Sequence, residues 1–346
     1  MPSLDVSFGV PQGSILGPLI YCIFTNDFPE TVHGTDCTVT LDTLPQYRCQ
    51  CSTCGGITVY ADDSTYSVAD KDQDKLSDKL SEKFTAMADY LTANRLKVNN
   101  EKTHLLIMTT EQKRRKHPTR ARIEVENDII EPTQVERLLG IFIHQDMKWT
   151  EYIRNNENSL LHCLNQRIGA LKKVSKVASF QARLTVSNGI FMSKMIFMIS
   201  LWSGCQEFLI DALQICQNKA ARVVTRRNKS TPIKRILKEC GWRSVRQEMY
   251  YHTVLQVHKT MTTKAPFYLF QKLTEDGHYQ CNTRQAGQSS IRMGPTYQAR
   301  LTLTKDSFRW RGAAWYEALP TKIRGEMKMK KIKKKVNCWV KANIDS

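Results

Sequence analysis

"TVYADDSTYS", residues 58–67, sets two carboxylates, Asp62 and Asp63, between two short runs of strand-forming residues. Adjacent like charges repel and cost stability unless a cation lies beside or between them. The run "ITVYADDSTYSV" predicts strand, tight turn and strand over 57–68, with the acidic pair at the tip. Such a tip presents its carboxylates rigidly, and a hard divalent cation such as Mg²⁺ or Mn²⁺ takes oxygen ligands. Asp pairs in turns are also ordinary solvated turn formers, so the pair by itself is weak support for a metal site.

Outward from this hairpin, Leu76, Leu80, Phe84, Ala88 and Leu91 recur at helical spacing and predict a helix over 72–96. "HLLIMTT" (104–110) reads as a strand, "KRRKHPTRAR" (113–122) as a basic loop, and 122–126 and 135–143 as further strands. Upstream, "GVPQGSILGPLIYCIFTNDFPE" (9–30) reads as a turn feeding a helix from Leu16. Beyond Trp149 the pattern is helical over 151–272, broken at Gly204, Pro232 and Gly241. The tail, 273–346, begins polar, regains order at "SFRWRGAAWYEALPTKIR" and ends in a Lys-rich helix. There Trp310 and Trp315 read first as core, and alternatively, with Arg309 and Arg311, as a base-stacking surface.

The 346 residues allow two or three domains with cores of their own. Lys and Arg number 51 against 33 Asp and Glu, a net charge of +18, which points to a polyanionic partner, with nucleic acid first. The runs 113–122 and 328–335 are candidate phosphate contacts or solvated faces, and the second doubles as a candidate nuclear import signal. The N-terminus lacks the features of a signal peptide, and the apolar stretch 190–202 is interrupted by Lys194. No membrane partner is expected. The chain is read as nuclear or cytoplasmic and not secreted, and its oligomeric state is left open.

The blocks "GVPQGSILGPLIY", "YADD", "LKVNNEKTHLLIM" and "ERLLGIFI" occur in the order found in reverse transcriptases, and the chain resembles a non-LTR retrotransposon polymerase of the jockey-like kind. "IDALQICQNKAARVV", "LKECGWRSVRQEMYYHTVLQVHKTMTTKAPFYL" and "SFRWRGAAWYEALPTKIR" resemble the C-terminal part of the same open reading frames. The resemblance implies an α+β fold: a partial polymerase palm over 1–148, a helical thumb over 149–272 and a basic C-terminal region over 273–346. It implies an RNA-directed DNA polymerase acting on an RNA template, a DNA primer and dNTPs by two-metal nucleotidyl transfer. Gly9, Pro11, Gln12, Gly13 and Ser14 would form the loop facing template and nucleotide. Tyr60 and Ala61 would lead the metal turn, with Asp62 the principal Mg²⁺ ligand and Asp63 the weaker one. Lys102 would neutralise or protonate the leaving pyrophosphate, or is an ordinary surface lysine. Leu138, Leu139 and Gly140 would lie on the hairpin that grips the primer, or belong to a plain core strand.

The same resemblance implies a third, bridging carboxylate upstream of Gly9, where Asp5 is the nearby acid and belongs to the strand entering the loop. The expectation is therefore an N-terminally truncated polymerase with little activity alone; the alternative is a non-catalytic nucleic-acid- or zinc-binding remnant of a mobile element. An insert over 33–56 carries Cys51-x-x-Cys54 followed by two glycines, with Cys37, Cys49 and His33 as further ligands for a structural zinc. Its alternative is a set of reduced thiols in a surface loop.

Overall fold

The computed structural model describes residues 15–28, 39–40, 48–49, 56–61, 63–117, 120–125, 128–274 and 302–344. The chain forms two units, Met1–Gln134 and Val135–Ser346.

In the first unit, helix α1 (Gly17–Phe24) precedes a small antiparallel sheet of order β1-β2-β3-β4, made of β1 (Val39–Thr40), β2 (Arg48–Cys49), β3 (Gly56–Tyr60) and β4 (Asp63–Ser67). Helix α2 (Gln73–Ala93) starts where the Asp72 carboxylate accepts the Asp74 backbone N–H at 2.9 Å, satisfying a donor the helix cannot. Its apolar side packs in two places. Tyr90 meets Phe28 and Ile57 beneath the β3–β4 hairpin, and Leu80 meets Leu105 and Ile123.

The predicted strand 104–110 shortens to β5 (Leu105–Leu106). The predicted basic loop opens as a helix, α3 (Glu111–Lys116), because the Thr110 hydroxyl caps it by accepting the Lys113 N–H at 3.3 Å. Strand β6 (Ile123–Val125) pairs with β7 (Asp128–Ile130). The Ser77 and Ser81 hydroxyls of α2 accept the backbone N–H groups of Arg122 and Glu124, fastening helix to strand. Strand β8 (Pro132–Thr133) runs parallel to β5, and Pro132 offers no N–H to lengthen that pairing.

The second unit opens with the hairpin β9 (Val135–Leu138) and β10 (Ile141–His144). Helices follow: α4 (Leu160–Ser175), α5 (Phe180–Ser187), α6 (Ser193–Met195), α7 (Ile199–Trp202), α8 (Glu207–Thr225), α9 (Ile233–Cys240), α10 (Val245–Thr263), α11 (Phe267–Thr274), α12 (Thr302–Asp306), α13 (Phe308–Glu317), α14 (Thr321–Arg324) and α15 (Met329–Asn343). The predicted breaks are physical ones. Pro232 caps the start of α9, and Gly241 ends it at φ 71, a conformation cheap only for glycine.

Two apolar clusters stabilise this unit. Ile141, Leu164, Trp202, Leu209 and Leu213 lie in the first, and Val254, Val257, Leu273, Ile332, Val336 and Val340 in the second. Helix α10 feeds both, through Val245 and Met249 on one side and Tyr250 and Val254 on the other. Each fully buried side chain of this size contributes about 1.5–3 kcal/mol. Trp315 joins the core as its first reading expects, stacking on Tyr250 at 5.0 Å. Burial pushes the Cys205 and Cys240 thiols up to about 12 and Cys216 to about 11, so these are inert packing groups. The described chain is thus mixed, mostly helical with small sheets, and no described helix is long and apolar enough to cross a membrane.

Candidate functional site

The β3–β4 ladder runs from Gly56 opposite Ser67 to Tyr60 opposite Asp63. Ala61 and Asp62 connect the strands. Ala61 sits at φ 54, in the left-handed region that costs an L-residue about 1–2 kcal/mol. The ladder on both sides and Ile57, 1% exposed at its base, hold that conformation in place. Tyr60 and Asp63 are exposed, so the tip is open to a ligand.

The hairpin thus brings Tyr60, Ala61 and Asp63 together. Asp62, Gly9, Pro11, Gln12, Gly13 and Ser14 lie outside the described residues, as do His33, Cys37, Cys51 and Cys54, and Cys49 is described only as backbone of β2. Lys102 ends a separate turn of the same unit, Asn100–Lys102. Asn99 organises that turn. Its carbonyl accepts the Lys102 N–H at 3.1 Å and the Thr103 hydroxyl at 2.9 Å, and its side-chain oxygen accepts the Lys102 N–H at 3.2 Å. The Lys102 ammonium is left in solvent.

Among the described residues no group of three or more His, Cys, Asp and Glu side chains is placed to hold a metal ion. The exposed Asp63 carboxylate is the right donor type for Mg²⁺ or Mn²⁺, but one carboxylate does not make a site.

The second unit carries the hairpin expected at Leu138, Leu139 and Gly140 and, beside it, a pocket that no motif announced. In the β9–β10 hairpin Leu138 pairs with Ile141, so Leu139 and Gly140 alone form the turn, at φ 48 and 84. Two positive φ values match the twist of a two-residue hairpin; glycine adopts them freely and leucine does not. The turn borders a pocket of about 360 Å³ lined by Gly140, Arg167, Ser193, Lys194 and Phe197. The Lys194 ammonium lies 5.5 Å from the Phe197 ring centre, and the Arg167 guanidinium donates to the Ile190 carbonyl. Leu138, Leu139, Phe197, Met198 and Leu201 are all exposed. Two cations beside exposed apolar groups suit a ligand that has both phosphates and flat faces.

Residues 4–141 match the family described as reverse transcriptase (RNA-dependent DNA polymerase). The chain is similar to two Drosophila melanogaster proteins. It is 23% identical over 226 residues to "Probable RNA-directed DNA polymerase from transposon X-element", covering 64% of this chain and 22% of that relative. It is 25% identical over 219 residues to "Probable RNA-directed DNA polymerase from transposon BS", covering 63% of this chain and 22% of that relative. The chain therefore spans about a fifth of the length of the curated relatives it matches. No solved structure matches it. The acidic hairpin lies inside the segment that matches the reverse transcriptase family, and the chain is similar to RNA-directed DNA polymerases of transposons.

Proposed function

We propose that the chain serves RNA-directed DNA synthesis, adding deoxynucleotides to a primer 3′ end on an RNA template. The observation that carries this reading is the two-residue acidic turn, with Asp63 exposed opposite Tyr60, inside the segment that matches the family. In this reading the hairpin-bearing segment 1–148 acts as the palm, the helices of 149–272 as the thumb and 273–346 as a basic C-terminal region. Asp62 and Asp63 would take Mg²⁺ or Mn²⁺, which when bound offsets charge on the transferring phosphate. Lys102, set on its Asn99-built turn, supplies a mobile cation for pyrophosphate. The Leu139–Gly140 turn and the Arg167, Lys194 and Phe197 pocket hold the primer by its backbone and terminal sugar.

The test is primer extension by the whole chain on an RNA template with Mg²⁺, beside Asp62→Asn. Incorporation that disappears in the variant supports the reading. Duplex binding without incorporation rejects catalysis by this chain and favours the second reading, a non-catalytic nucleic-acid-binding module, which the net charge of +18 supports.

A further inference from the structure

Helix α15 has two faces of opposite character. Ile332, Val336 and Val340 are fully buried in the second core, and Trp339 lies 5.3 Å from the Tyr250 ring. Two polar ties fix the helix in rotation: Asn337 accepts from Arg243 at 2.6 Å, and Lys335 bonds to Glu326 at 2.7 Å. On the side away from the core, Lys330, Lys334, Cys338 and Lys341 follow one another at intervals of four, four and three, which is one stripe along an α-helix. All four are exposed, and the exposed Lys331 and Lys333 flank them. Glu326 is engaged with Lys335 and lies within the field of Lys331.

We propose that this lysine stripe is a docking surface for the phosphate backbone of a nucleic-acid duplex, bound without reading base sequence. At 1.5 Å per residue, Lys330 to Lys341 spans about 16 Å, or about five phosphate intervals of 3.4 Å along one strand. Lysines act as mobile point charges and lack the planar fork that arginine offers to a guanine edge, so they neutralise phosphates rather than select bases. No aromatic ring belongs to the stripe, which removes the stacking platform a single strand prefers. An anionic membrane is the competing polyanion. A helix that lies in a membrane interface inserts its apolar face, and here that face is committed to the protein core. The surface stands whether or not the acidic hairpin is catalytic, so it does not depend on the polymerase reading.

The experiment measures the affinity of the whole chain for a short fluorescent RNA–DNA duplex of arbitrary sequence at several salt concentrations. In K330Q/K334Q/K341Q the slope of log affinity against log salt falls by about 3, at about 0.9 for each phosphate no longer neutralised. K71Q/K75Q/K219Q removes the same charge from exposed lysines elsewhere and leaves the slope nearly unchanged. Scrambling the duplex sequence leaves the affinity unchanged. Equal falls in both variants, or none in the first, overturn the proposal, as does a marked dependence on base sequence. So does loss of binding to phosphatidylcholine–phosphatidylserine vesicles in the first variant with its duplex slope intact. Circular dichroism of the first variant shows that the helix persists, since every substituted side chain is exposed.

Discussion

Tyr60 pairs directly across the β3–β4 ladder from Asp63, so the paired positions are separated in the sequence by two residues. Asp63 is thereby anchored by sheet pairing while its carboxylate stays in solvent. Asp63→Asn therefore changes folding stability by less than about 0.5 kcal/mol, the range of exposed substitutions, because nothing buried is lost. The same substitution weakens Mn²⁺ binding, read by electron paramagnetic resonance of the free ion. Unchanged Mn²⁺ binding would place the cation somewhere other than this tip.

Leu139 makes a contrasting case in the second hairpin, because it combines a left-handed backbone with an exposed apolar side chain. Strain that persists at an exposed turn points to use of the side chain. Leu139→Gly raises stability by up to about 1 kcal/mol, since glycine adopts positive φ without the Cβ clash. If the turn grips primer, the variant also extends primers less well. A gain in stability with unaltered extension would leave Leu139 as a plain turn residue.

The parts legible in the sequence are those whose signals are local. Strand formers on both sides of Ala61-Asp62-Asp63 give the hairpin, and the Leu76, Leu80, Phe84 and Leu91 spacing gives α2. Pro232 and Gly241 mark the ends of α9 because each restricts or frees its own backbone. Helix α3 was hidden because its charged run reads as a loop unless Thr110 is recognised as a cap. Strand β5 is shorter than its apolar run because its length depends on β8, where Pro132 cannot donate. The pocket of Gly140, Arg167, Lys194 and Phe197 was invisible because a hairpin turn and two separate helical stretches meet there only on folding.

Gly204 sits where close backbone approach fixes residue identity. A Cβ built there would stand 2.0 Å from the carbonyl oxygen of Asp306, a backbone atom that cannot rotate away. The neighbouring groups are tied as well: Arg311 pairs with Asp306 and donates to the Ser203 carbonyl at 3.3 Å. Gly204→Ala must displace one backbone segment, and costs about 1–3 kcal/mol as an overpacking change. A lowered urea midpoint with an unchanged m-value is the expected result. An unchanged midpoint would mean that the α7–α8 turn and Asp306 do not meet.

Arg243 joins three elements through one guanidinium. It donates to Glu248 at 2.8 and 3.1 Å and to Asn337 at 2.6 Å, and it lies 3.7 Å above the Tyr251 ring. The Glu248 carboxylate is only 5% exposed, and without Arg243 it keeps only His252, 3.3 Å away and cationic only when protonated, so a buried charge loses its permanent counter-ion. Arg243→Ala should cost about 3–5 kcal/mol. Arg243→Lys recovers only part of this, because an ammonium cannot serve Glu248 and Asn337 in a planar fork. Thermal unfolding of the two variants, ranked wild type, Lys, Ala, checks this; equal stability of the Lys variant and wild type would reduce the role to charge alone.

His258 gives the chain a dependence on pH. It is fully buried, with Nδ1 3.1 Å from the Tyr316 hydroxyl. Burial pushes its pKa below the ordinary 6.5, against a smaller upward pull from Glu326. The folded state therefore holds the neutral ring at a pH where the unfolded chain already binds a proton. Stability contributed by the neutral ring is complete above about 6.5 and is lost as pH falls below that value, by up to about 1.4 kcal/mol per pH unit until the folded pKa is reached. Urea midpoints measured from pH 7.5 down to about 5 should fall on the acid side of 6.5. His258→Gln, which cannot titrate, should flatten that fall even if its stability at pH 7.5 is lower; the same acid slope in both proteins would assign the effect to another group.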